Sequence, residues 1–374
     1  MKSYKHLFDI CISEANRRRA VKSAKKSKRI RNMIRRRNLS DDELIGQSYD
    51  WIINYENAEH EPKIIQDGIR HKERKIIVPT LEELIVQHCV VQALQEMFWK
   101  GMYQHSYASI PRRGAHKAKK VIEKWIDTDP KNVKYVLKMD IHHFFDSIPH
   151  DILKRMLELL FKILDVTEVG LPLGFYTSQW LSNWFLQGLD HFIKEQLHAV
   201  HYARYMDDMV IFGSNKKVLH QIRLAISEYM ASELGLSLKG DWQVFRFSYT
   251  VEGEDRGRPL DFMGFQFYRN RTVLRKSIML KATRKARKIH KKPYQGRQPT
   301  VHDYRQMMSY LGWIDCTDTY GMYLKHIKPM INFQKMKRYV SNCDMRNDRR
   351  IYEQLVRLYL PRGGKRSGTY LHPR

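Results

Sequence analysis

Two adjacent carboxylates in the segment 201–213 are the residues of this sequence best suited to chemistry. Asp207 and Asp208 stand between two short, mainly apolar runs, 201–204 and 209–213. This pattern predicts a tight β-hairpin with both carboxylates at its tip. Like charges side by side repel unless a positive group lies against them. Oxygen ligands on a rigid hairpin suit a divalent ion, which indicates a magnesium-dependent phosphoryl-transfer site. An ordinary surface turn remains the alternative for the hairpin alone.

A third carboxylate, Asp140, is predicted near the C-terminal end of a strand over 134–141. If that strand and the hairpin are adjacent in one sheet, the three carboxylates reach two metal ions about 3.5–4 Å apart. One ion would lower the pKa of a primer 3′-hydroxyl, and the other would neutralise a triphosphate and its leaving pyrophosphate. Such chemistry depends on positioning and charge stabilisation more than on acid–base groups of the protein.

The composition indicates a folded protein with a polyanionic partner. The 374 residues allow two or three domains, and 67 Lys+Arg against 40 Asp+Glu give a net charge of +27. That excess favours nucleic acid over an anionic membrane surface. No apolar run approaches the roughly 18 residues that span a bilayer, and the first residues form no apolar signal core. We therefore expect a cytoplasmic protein with no membrane partner.

The four cysteines give no sign of a metal or disulfide framework. They stand far apart and form no Cys-x-x-Cys pair, at Cys11, Cys89, Cys316 and Cys343. A zinc ribbon is therefore not expected, and neither are disulfides in a reducing compartment. Cys89 lies in an apolar helical stretch and is predicted to be a small buried residue.

The N-terminal part contains a dense basic block and two helix-start signals. Residues 17–37 are dominated by Arg and Lys. This density favours contact with a nucleic-acid backbone, with a solvated helix face or a flexible arm as the alternative. Ser40 and Thr80 are each followed three residues later by Glu, the spacing of a capping box. Between them, residues 60–80 predict a strand, a loop with a basic tip and a second strand over 76–78.

The remaining segments alternate between helices and short strands. A turn at 171–174 precedes an amphipathic helix that carries Trp180, Trp184 and Phe185 toward the core and continues to Leu189. Residues 218–235 predict a helix that Gly235 ends. A β-meander is predicted over 246–275, and from about residue 280 the chain is basic and helical.

Several motifs occur in the order and spacing found in bacterial reverse transcriptases, which this sequence resembles over about residues 60–275. The motifs are 74–79, 109–116, 140–146 (Asp-Ile-His-His-Phe-Phe-Asp), 171–174 (Leu-Pro-Leu-Gly), 205–208 (Tyr-Met-Asp-Asp) and 262–265 (Phe-Met-Gly-Phe). The resemblance implies an α+β fold of the right-hand polymerase type, with fingers, a palm on an antiparallel sheet and a helical thumb. The implied boundaries are 1–59 for a basic extension and the start of the fingers, 60–133 for the fingers, 134–275 for the palm, 276–360 for the basic thumb and 361–374 for a flexible tail.

The resemblance also assigns site residues. It implies two Mg²⁺ ions, with Mn²⁺ as a substitute, and the metal set Asp140, Ile141, Asp207 and Asp208. Asp140 and Asp207 would hold both ions, whereas Asp208 would help to position the hairpin and one ion. The catalytic residues would be the three aspartates.

The resemblance places the incoming nucleotide against a second set of residues, which is Lys72, Arg74, Phe145, Gly174 and Gln179. Arg74 and Lys72 would contact the triphosphate, and Gly174 would let the backbone approach the nucleotide. Phe145 would act as a steric gate that excludes a ribose 2′-hydroxyl. Phe144 could hold that role instead, and solvated cations, a core Phe and a helix cap at Ser178 are the structural alternatives.

Primer and template contacts are implied for Arg112, Arg113, Met263 and Gly264. Packing of a core strand explains the aromatic residues around Met263 equally well. Relatives often carry a Lys some residues after a Gly-Leu-x-Leu segment. Here Lys239 follows Leu238 directly, and the usual later position falls near Trp242, so the role of Lys239 stays open.

The implied reaction is RNA-templated addition of dNTPs to a primer, with RNA template, DNA product and a structured non-coding RNA as partners. An accessory protein or an oligomer is a further possible partner. Ser178-Gln179 resembles enzymes of diversity-generating retroelements and antiviral-defence systems, whereas retron enzymes usually carry Ser-Pro there. No nuclease-finger or RNase H pattern follows residue 280, which disfavours a group II intron protein. The alternatives are an RNA-dependent RNA polymerase and a catalytically idle RNA-binding scaffold.

Overall fold

The structure is a computed structural model that describes residues 7–67, 72–156 and 170–343. Within these ranges the side chains of 66, 67, 72 and 154–156 are not described. The chain divides into two compact units, with the boundary after Asn270. The predicted tail over 361–374 and the end of the predicted thumb lie outside the described residues.

The first unit mixes helices with short strands. Its elements in chain order are α1 (Leu7–Ile12), α2 (Glu14–Ala24), α3 (Lys28–Arg36), α4 (Asp41–Ile53), β1 (Lys63–Asp67), β2 (Lys72–Ile76), α5 (Leu81–Lys100), α6 (Ala115–Thr128), β3 (Tyr135–Met139), α7 (Phe144–Ser147), α8 (His150–Met156), α9 (Tyr176–Phe185), α10 (Gln187–His191), a π-helical turn (Phe192–Gln196), β4 (His201–Tyr205), β5 (Asp208–Gly213), α11 (Lys216–Leu234), β6 (Gln243–Arg246), β7 (Tyr249–Val251), β8 (Glu254–Arg256), β9 (Leu260–Phe262) and β10 (Phe265–Phe267).

The N-terminal helices pack around α5. Both predicted capping boxes are present, because Ser40 and Thr80 accept hydrogen bonds from the amides of Glu43 and Glu83. The basic block lies on α2 and α3 and is therefore helical, which rules out the flexible arm for this segment. The shared core contains the buried residues Ala20, Val21, Ile30, Ile34, Leu44, Leu81, Ile85 and Cys89.

The predicted pair of strands before α5 is present as the antiparallel hairpin β1–β2. The predicted strand over 76–78 is wrong, since β2 already ends at Ile76. The amide of Ile77 donates instead to the carbonyl of Leu173, at 2.7 Å. The basic tip was predicted over 70–75, but residues 72–75 belong to β2 and not to a loop, and residues 70 and 71 lie outside the described residues.

A four-stranded antiparallel sheet in the order β4-β5-β3-β6 forms the centre of the first unit. Its register pairs Met139 at the end of β3 with Met209 near the start of β5. Alternate residues share one face of a sheet. Leu137, Ile211 and Tyr202 stand opposite one another and are fully buried. This register brings the end of β3 beside the β4–β5 turn.

Helices cover that apolar face of the sheet. Leu219, Ile226 and Met230 of α11 join its core, and αL Gly235 ends the helix as predicted. Trp180 and Phe185 of α9 belong to the same core, which confirms the predicted packing role of this aromatic stripe. The predicted helix does not run straight to Leu189, because it is interrupted at Leu186.

The predicted meander is present as short paired strands from β6 to β10. β7 pairs with β8, and β9 pairs with β10. Phe262 and Phe265 face each other in the β9–β10 pair and are fully buried.

The second unit is basic and mainly helical. Its elements are β11 (Thr272–Leu274), α12 (Lys276–Lys291), a 3₁₀ turn (Pro293–Gln295), α13 (Val301–Ile314), α14 (Tyr320–His326), a 3₁₀ turn (Lys328–Met330) and helical residues over 333–343. Asp303 caps α13 and accepts hydrogen bonds from Lys285 and Lys292. In neither unit does a described helix have the length and apolar character needed to cross a membrane.

Candidate active site

The predicted hairpin is present, with one correction at its tip. β4 ends at Tyr205 and β5 begins at Asp208, so that Met206 and Asp207 form the turn. Asp208 is the first strand residue and not a tip residue, since it already pairs with Tyr205. Met206 has a φ of 60°, which side-chain-bearing residues adopt at a cost.

Asp140 and Asp207 meet at this end of the sheet. Asp140 directly follows Met139, whose partner Met209 lies two residues after Asp207. Both line one cavity, and the carboxyl of Asp207 is close enough to that of Asp140 for the two to interact. Burial, and next the charge of Asp140, raise the pKa of Asp207 to about 6, whereas the positive charge of Arg74 acts in the opposite direction. Two carboxyls that compete for one proton can exchange that proton for a cation.

Asp208 lies beside a lysine of the neighbouring strand β3. Adjacent strand residues alternate between faces, and Asp208 shares the face of Val210, the partner of Lys138. Its Oδ2 lies 3.8 Å from Lys138 Nζ. Within 7–67, 72–156 and 170–343, no three His, Cys, Asp or Glu side chains form a group that could hold a metal ion. The paired carboxyls nevertheless supply the hard oxygen donors that a divalent ion requires.

Ile141, the remaining residue of the predicted metal set, lies directly beside the pair. Its side chain is buried, and its backbone forms an antiparallel bridge with Leu238. This bridge brings the following residue, Lys239, to the site.

A cavity of about 250 Å³ opens in front of Asp140 and Asp207. Its lining combines these acids with aromatic and basic side chains, among them Arg74, His142, His143, Phe145 and Lys239. His143 has a φ of 44°, and its ring packs edge-on against that of His142, with the centroids 4.3 Å apart. The cavity therefore holds a negative pair at one side and cations around it.

Lys239, whose role the sequence left open, contacts the pair directly. Its Nζ lies 3.3 Å from Asp140 Oδ2 and 3.2 Å from Asp241 Oδ2. The hydrogen bond with Asp241, and then that with Asp140, raise the pKa of Lys239. Its amide also donates to the carbonyl of Asp140, at 2.9 Å.

The two phenylalanines after Asp140 differ in exposure. Phe144 is 2% exposed and belongs to the core. Phe145 is partly exposed and lines the cavity. A ring at the cavity wall can exclude part of a ligand, whereas a core ring cannot. The geometry therefore favours Phe145 over Phe144 as the predicted gate.

The predicted triphosphate contacts come from β2. Arg74 is exposed, pairs across the hairpin with Ile65 and lines the cavity. Lys72 begins the same strand, and its side chain lies outside the described part of the chain.

Gly174 and Gln179 have roles that the sequence did not indicate. Gly174 has a φ of 115°, and a β-carbon there would collide with the backbone carbonyl of Ile77. The glycine is thus required by a neighbouring segment of the protein, and its predicted close approach to a nucleotide stays a prediction. Gln179 is exposed, and its carbonyl accepts hydrogen bonds from Ser182 and Asn183.

Arg112 and Arg113 are neighbours with different surroundings. Arg112 is exposed and has a φ of 61°. Arg113 turns inward, donates to the carbonyls of Tyr103 and Ser106 at 2.6 and 3.0 Å, and lies over the ring of Trp99. Arg113 therefore has a structural role in its own loop, and its predicted contact with nucleic acid stays a prediction.

Met263 and Gly264 form the turn between β9 and β10. Their φ values of 53° and 89° are those of a type I′ hairpin turn. The predicted hairpin is thus present, and its contact with primer or template stays a prediction.

Sequence reasoning missed a buried charged pair, formed by Arg204 of β4 and Asp190. The two side chains form an ion pair of 2.5 Å, and both are 0% exposed. An Arg inside a strand that precedes the carboxylates is the signal that could have indicated a buried partner.

Comparisons with known proteins point to one family. The family model described as "Reverse transcriptase (RNA-dependent DNA polymerase)" matches residues 66–267, more than half of the 374 residues. A "Retron Ec73 reverse transcriptase" of Escherichia coli is 26% identical over 144 residues, which cover 32% of this chain and 45% of that protein. "Protein YkfC" of Escherichia coli (strain K12) is 24% identical over 146 residues, covering 33% and 38%. The chain thus spans less than half the length of each of these curated relatives.

Solved structures give a weaker likeness. A telomerase from Candida albicans, in complex with a TWJ fragment of telomeric RNA, has a TM-score of 0.44 at 12% identity and covers 80% of this chain and 68% of that one. The corresponding complex from Candida tropicalis has a TM-score of 0.40 at 14% identity, covering 62% and 48%. At these scores the likeness is too remote to carry a conclusion.

Proposed function

Because this chain belongs to the reverse transcriptase (RNA-dependent DNA polymerase) family, we propose that it synthesises DNA on an RNA template by nucleotidyl transfer to a primer. The family expected from the sequence motifs is thereby confirmed. The observation that carries the proposed activity is the meeting of Asp140 and Asp207 in one cavity, with Arg74 and Phe145 on its wall.

The donor set at this site suits the divalent ions that the reaction requires. Asp140 and Asp207 would hold Mg²⁺, or Mn²⁺ in its place, and Asp208 and Ile141 complete the expected set. The raised pKa of Asp207 beside Asp140 marks a pair of carboxyl groups with too little positive charge around it. When bound, the ions supply charge neutralisation and activation of the primer hydroxyl.

The protein's own side chains would position the nucleotide. Arg74 would draw the triphosphate toward the cavity, as would Lys72. Phe145 would stand where a ribose 2′-hydroxyl would have to fit, and so would favour dNTPs over NTPs. Lys239, held by Asp140 and Asp241, adds a further positive charge at the same wall.

We place the parts of a right-hand polymerase on the two units as follows. Residues 60–133 would form the fingers, with residues 1–59 as a basic extension that also begins them. Residues 134–275 would form the palm around the central sheet, and 276–360 the thumb. The antiparallel sheet with its acidic end and the basic helices of the second unit support this assignment.

Primer extension tests the proposal. Purified protein with a primed RNA template, Mg²⁺ and dNTPs should yield DNA, and the Asp207→Ala/Asp208→Ala variant should yield none. Lys138→Ala, which removes the cation beside Asp208 but no carboxylate, serves as a control for loss of the ion pair. Extension by the double-alanine variant would overturn the proposed site.

The alternative, an RNA-dependent RNA polymerase, would use nucleotides that carry ribose instead of deoxyribose. Equal use of NTPs and dNTPs by the unchanged protein would support that alternative. We expect Phe145→Ala to raise NTP incorporation, while Phe144→Ala should mainly lower stability, by about 3–5 kcal/mol, because that ring is buried. The scaffold alternative predicts no synthesis with any nucleotide.

A structured non-coding RNA would bind the basic face of α2 and α3. Several cations of this block already serve the fold: Arg18 pairs with Glu14, Lys25 with Asp41 and Arg37 with Glu82. The exposed cations for which the described residues provide no partner are Lys22, Lys26, Lys28, Arg35 and Arg36. On α3, Lys28, Arg35 and Arg36 lie opposite the buried Ile30 and Ile34. This face would contact RNA phosphates.

Two triple variants with equal loss of charge test this face. We expect Lys28→Gln/Arg35→Gln/Arg36→Gln to reduce the salt dependence of binding to a 20-nucleotide hairpin RNA by about 2 to 3 in log–log slope. Arg18→Gln/Lys25→Gln/Arg37→Gln should change it less, because those cations are already neutralised. Equal effects of both triples would contradict a specific face.

The biological setting we propose is antiviral defence or a retroelement, with an accessory protein or an oligomer as a further partner. Ser178-Gln179 after the Gly174 turn supports this subtype over a retron. Sequencing the RNA that co-purifies, and the DNA made from it, would decide between the settings.

A further inference from the structure

A fully buried ion pair lies behind the turn that carries Asp207. The Arg204 guanidinium binds Asp190 through two parallel contacts, Nε to Oδ1 at 2.8 Å and Nη2 to Oδ2 at 2.5 Å. Neither side chain is exposed to solvent. Burying two charges is costly unless their remaining hydrogen bonds are also made. The partners of the third guanidinium nitrogen therefore matter.

That third nitrogen reaches the turn itself. Arg204 Nη1 donates to the carbonyl of Met206 at 3.1 Å and to Oδ1 of Asn183 at 3.2 Å. Met206 has the left-handed φ of 60°, a conformation that is unfavourable for a residue with a side chain and persists only where neighbours hold it. The Met206 carbonyl directly precedes Asp207, so this hydrogen bond acts on the peptide that positions Asp207.

The anchors of this network lie on the helices behind the site. Asp190 is on α10 and also accepts from Tyr202 Oη at 2.7 Å. Asn183 is on α9, and its Nδ2 donates to the carbonyls of Ala108 and Gln179 at 3.0 and 2.9 Å. The Arg204 side chain thus ties the turn to two helices, and Ser182 of α9 adds a contact of its own with Met206 Sδ, at 3.2 Å.

We propose that Arg204 is a positioning residue, which holds the Met206 peptide so that Asp207 stays against Asp140. Its catalytic consequence rests on the proposed function, whereas its effect on the turn does not. A purely structural pair would stabilise the fold without setting the geometry of the turn. Replacing a buried ion pair by uncharged groups often leaves stability unchanged, which lets the two roles be separated.

The separating variant is Arg204→Met/Asp190→Asn. It removes both buried charges together, keeps an acceptor for Tyr202, and removes the donor to Met206. We expect its melting temperature to stay within a few degrees of the parent, whereas Arg204→Met alone should melt roughly 10 °C lower because Asp190 is left unpaired. Arg204→Lys keeps the charge but not the planar fork, so it should fold and still fail to hold the turn.

The readouts are measured below the melting temperature of every variant. In Arg204→Met/Asp190→Asn we expect Mn²⁺ bound at the carboxylate pair, measured by electron paramagnetic resonance, to weaken about tenfold. Amide hydrogen exchange at Asp207 should rise about tenfold. In primer extension, kcat should fall about tenfold while the KM for dNTP changes little. The control is His201→Gln/Asp129→Asn, which removes a 2.9 Å contact at the other end of β4.

The outcomes separate the two claims. Parent-like exchange at Asp207, Mn²⁺ affinity and kcat in a stable Arg204→Met/Asp190→Asn would overturn the positioning role. Faster exchange at Asp207, weaker Mn²⁺ binding and a lower kcat, with the control variant unaffected, would support the positioning role. A parent protein that extends no primer refutes the proposed function, and the exchange measurement then still decides whether Arg204 holds the turn.

Discussion

The amide of Ile77 donates a 2.7 Å hydrogen bond to the carbonyl of Leu173, which joins the segment after β2 to the loop before α9. Gly174 makes this approach possible, because a β-carbon there would occupy the position of the Ile77 carbonyl. The strand that carries Arg74 is therefore held to the loop by backbone atoms, and both line the same cavity through Arg74 and Leu173.

We expect Gly174→Ala to destabilise the protein by about 1–3 kcal/mol, since it combines a positive φ of 115° with a backbone collision. The displaced strand should also raise the KM for dNTP. Thermal unfolding and steady-state primer extension measure the two effects. Gly240→Ala is the control, because a β-carbon at Gly240 would meet nothing within 4 Å. Equal stability of both variants would contradict the collision.

We expect Asp207→Asn to raise stability in metal-free buffer at pH 7, by about 2 kcal/mol. Burial and Asp140 raise the pKa of Asp207 from 3.8 to about 6. The folded state thus binds more protons than the unfolded state between these values, and stability falls as the pH rises through that window. The gain of the variant should therefore vanish near pH 4. Denaturant unfolding at several pH values measures it.

The control for this prediction is Asp208→Asn, which removes a carboxylate that already has Lys138 nearby. No comparable gain is expected from it. A gain for Asp207→Asn that stays constant from pH 4 to 7 would mean that the carboxyl pair is not the cause.

We expect the opposite pH dependence at Asp303 in the second unit. Burial raises the pKa of its carboxyl, but hydrogen bonds from Lys292, Lys285 and Thr300 outweigh burial and leave the pKa well below its usual range. Its contribution to stability is therefore present above about pH 4 and is lost as the pH falls further. Asp303→Asn should cost about 2 kcal/mol at pH 7 and much less at pH 3.

Amide hydrogen exchange in α13 measures that loss locally. Asp315→Asn, at an exposed position just after the same helix, should leave exchange unchanged. If Asp303→Asn proves harmless at pH 7, the two lysines do not hold this helix start.

Substitutions at Arg112 and Arg113 should have different effects, one on RNA binding and the other on stability. We expect Arg112→Gln to lower the salt slope of RNA binding by about 0.7–0.9 without a change in melting temperature. Arg113→Gln should instead cost about 1–3 kcal/mol of stability, because it removes the donor to Tyr103 and Ser106. The reverse pattern would support the predicted RNA contact of Arg113 and contradict its structural role.

Local patterns in the sequence predicted local structure well. The capping boxes at Ser40 and Thr80, the αL end at Gly235 and the β4–β5 hairpin each depend on residues close together in the chain. The meeting of Asp140 with Asp207 was also predictable, because adjacent antiparallel strands bring their ends together.

Contacts between distant segments were not predictable in the same way. The backbone of Gly174 is packed against that of Ile77, about a hundred residues earlier. Asp208 lies beside Lys138, which is on another strand. Neither a motif nor a hydrophobic period contains this information.

The register of β3 against β5 has a consequence for insertions and deletions. Asp140 follows Met139, the last residue of β3 that pairs with β5, with no turn between them. The position of its carboxylate therefore depends on the number of residues in β3. Deleting one residue from β3 would exchange the buried and polar faces of the strand and carry Asp140 away from Asp207. The exposed β7–β8 hairpin has no such constraint, and added residues at Glu252 and Gly253 would lengthen a surface turn. Length variation among related chains should therefore be absent from β3 and concentrated in that hairpin.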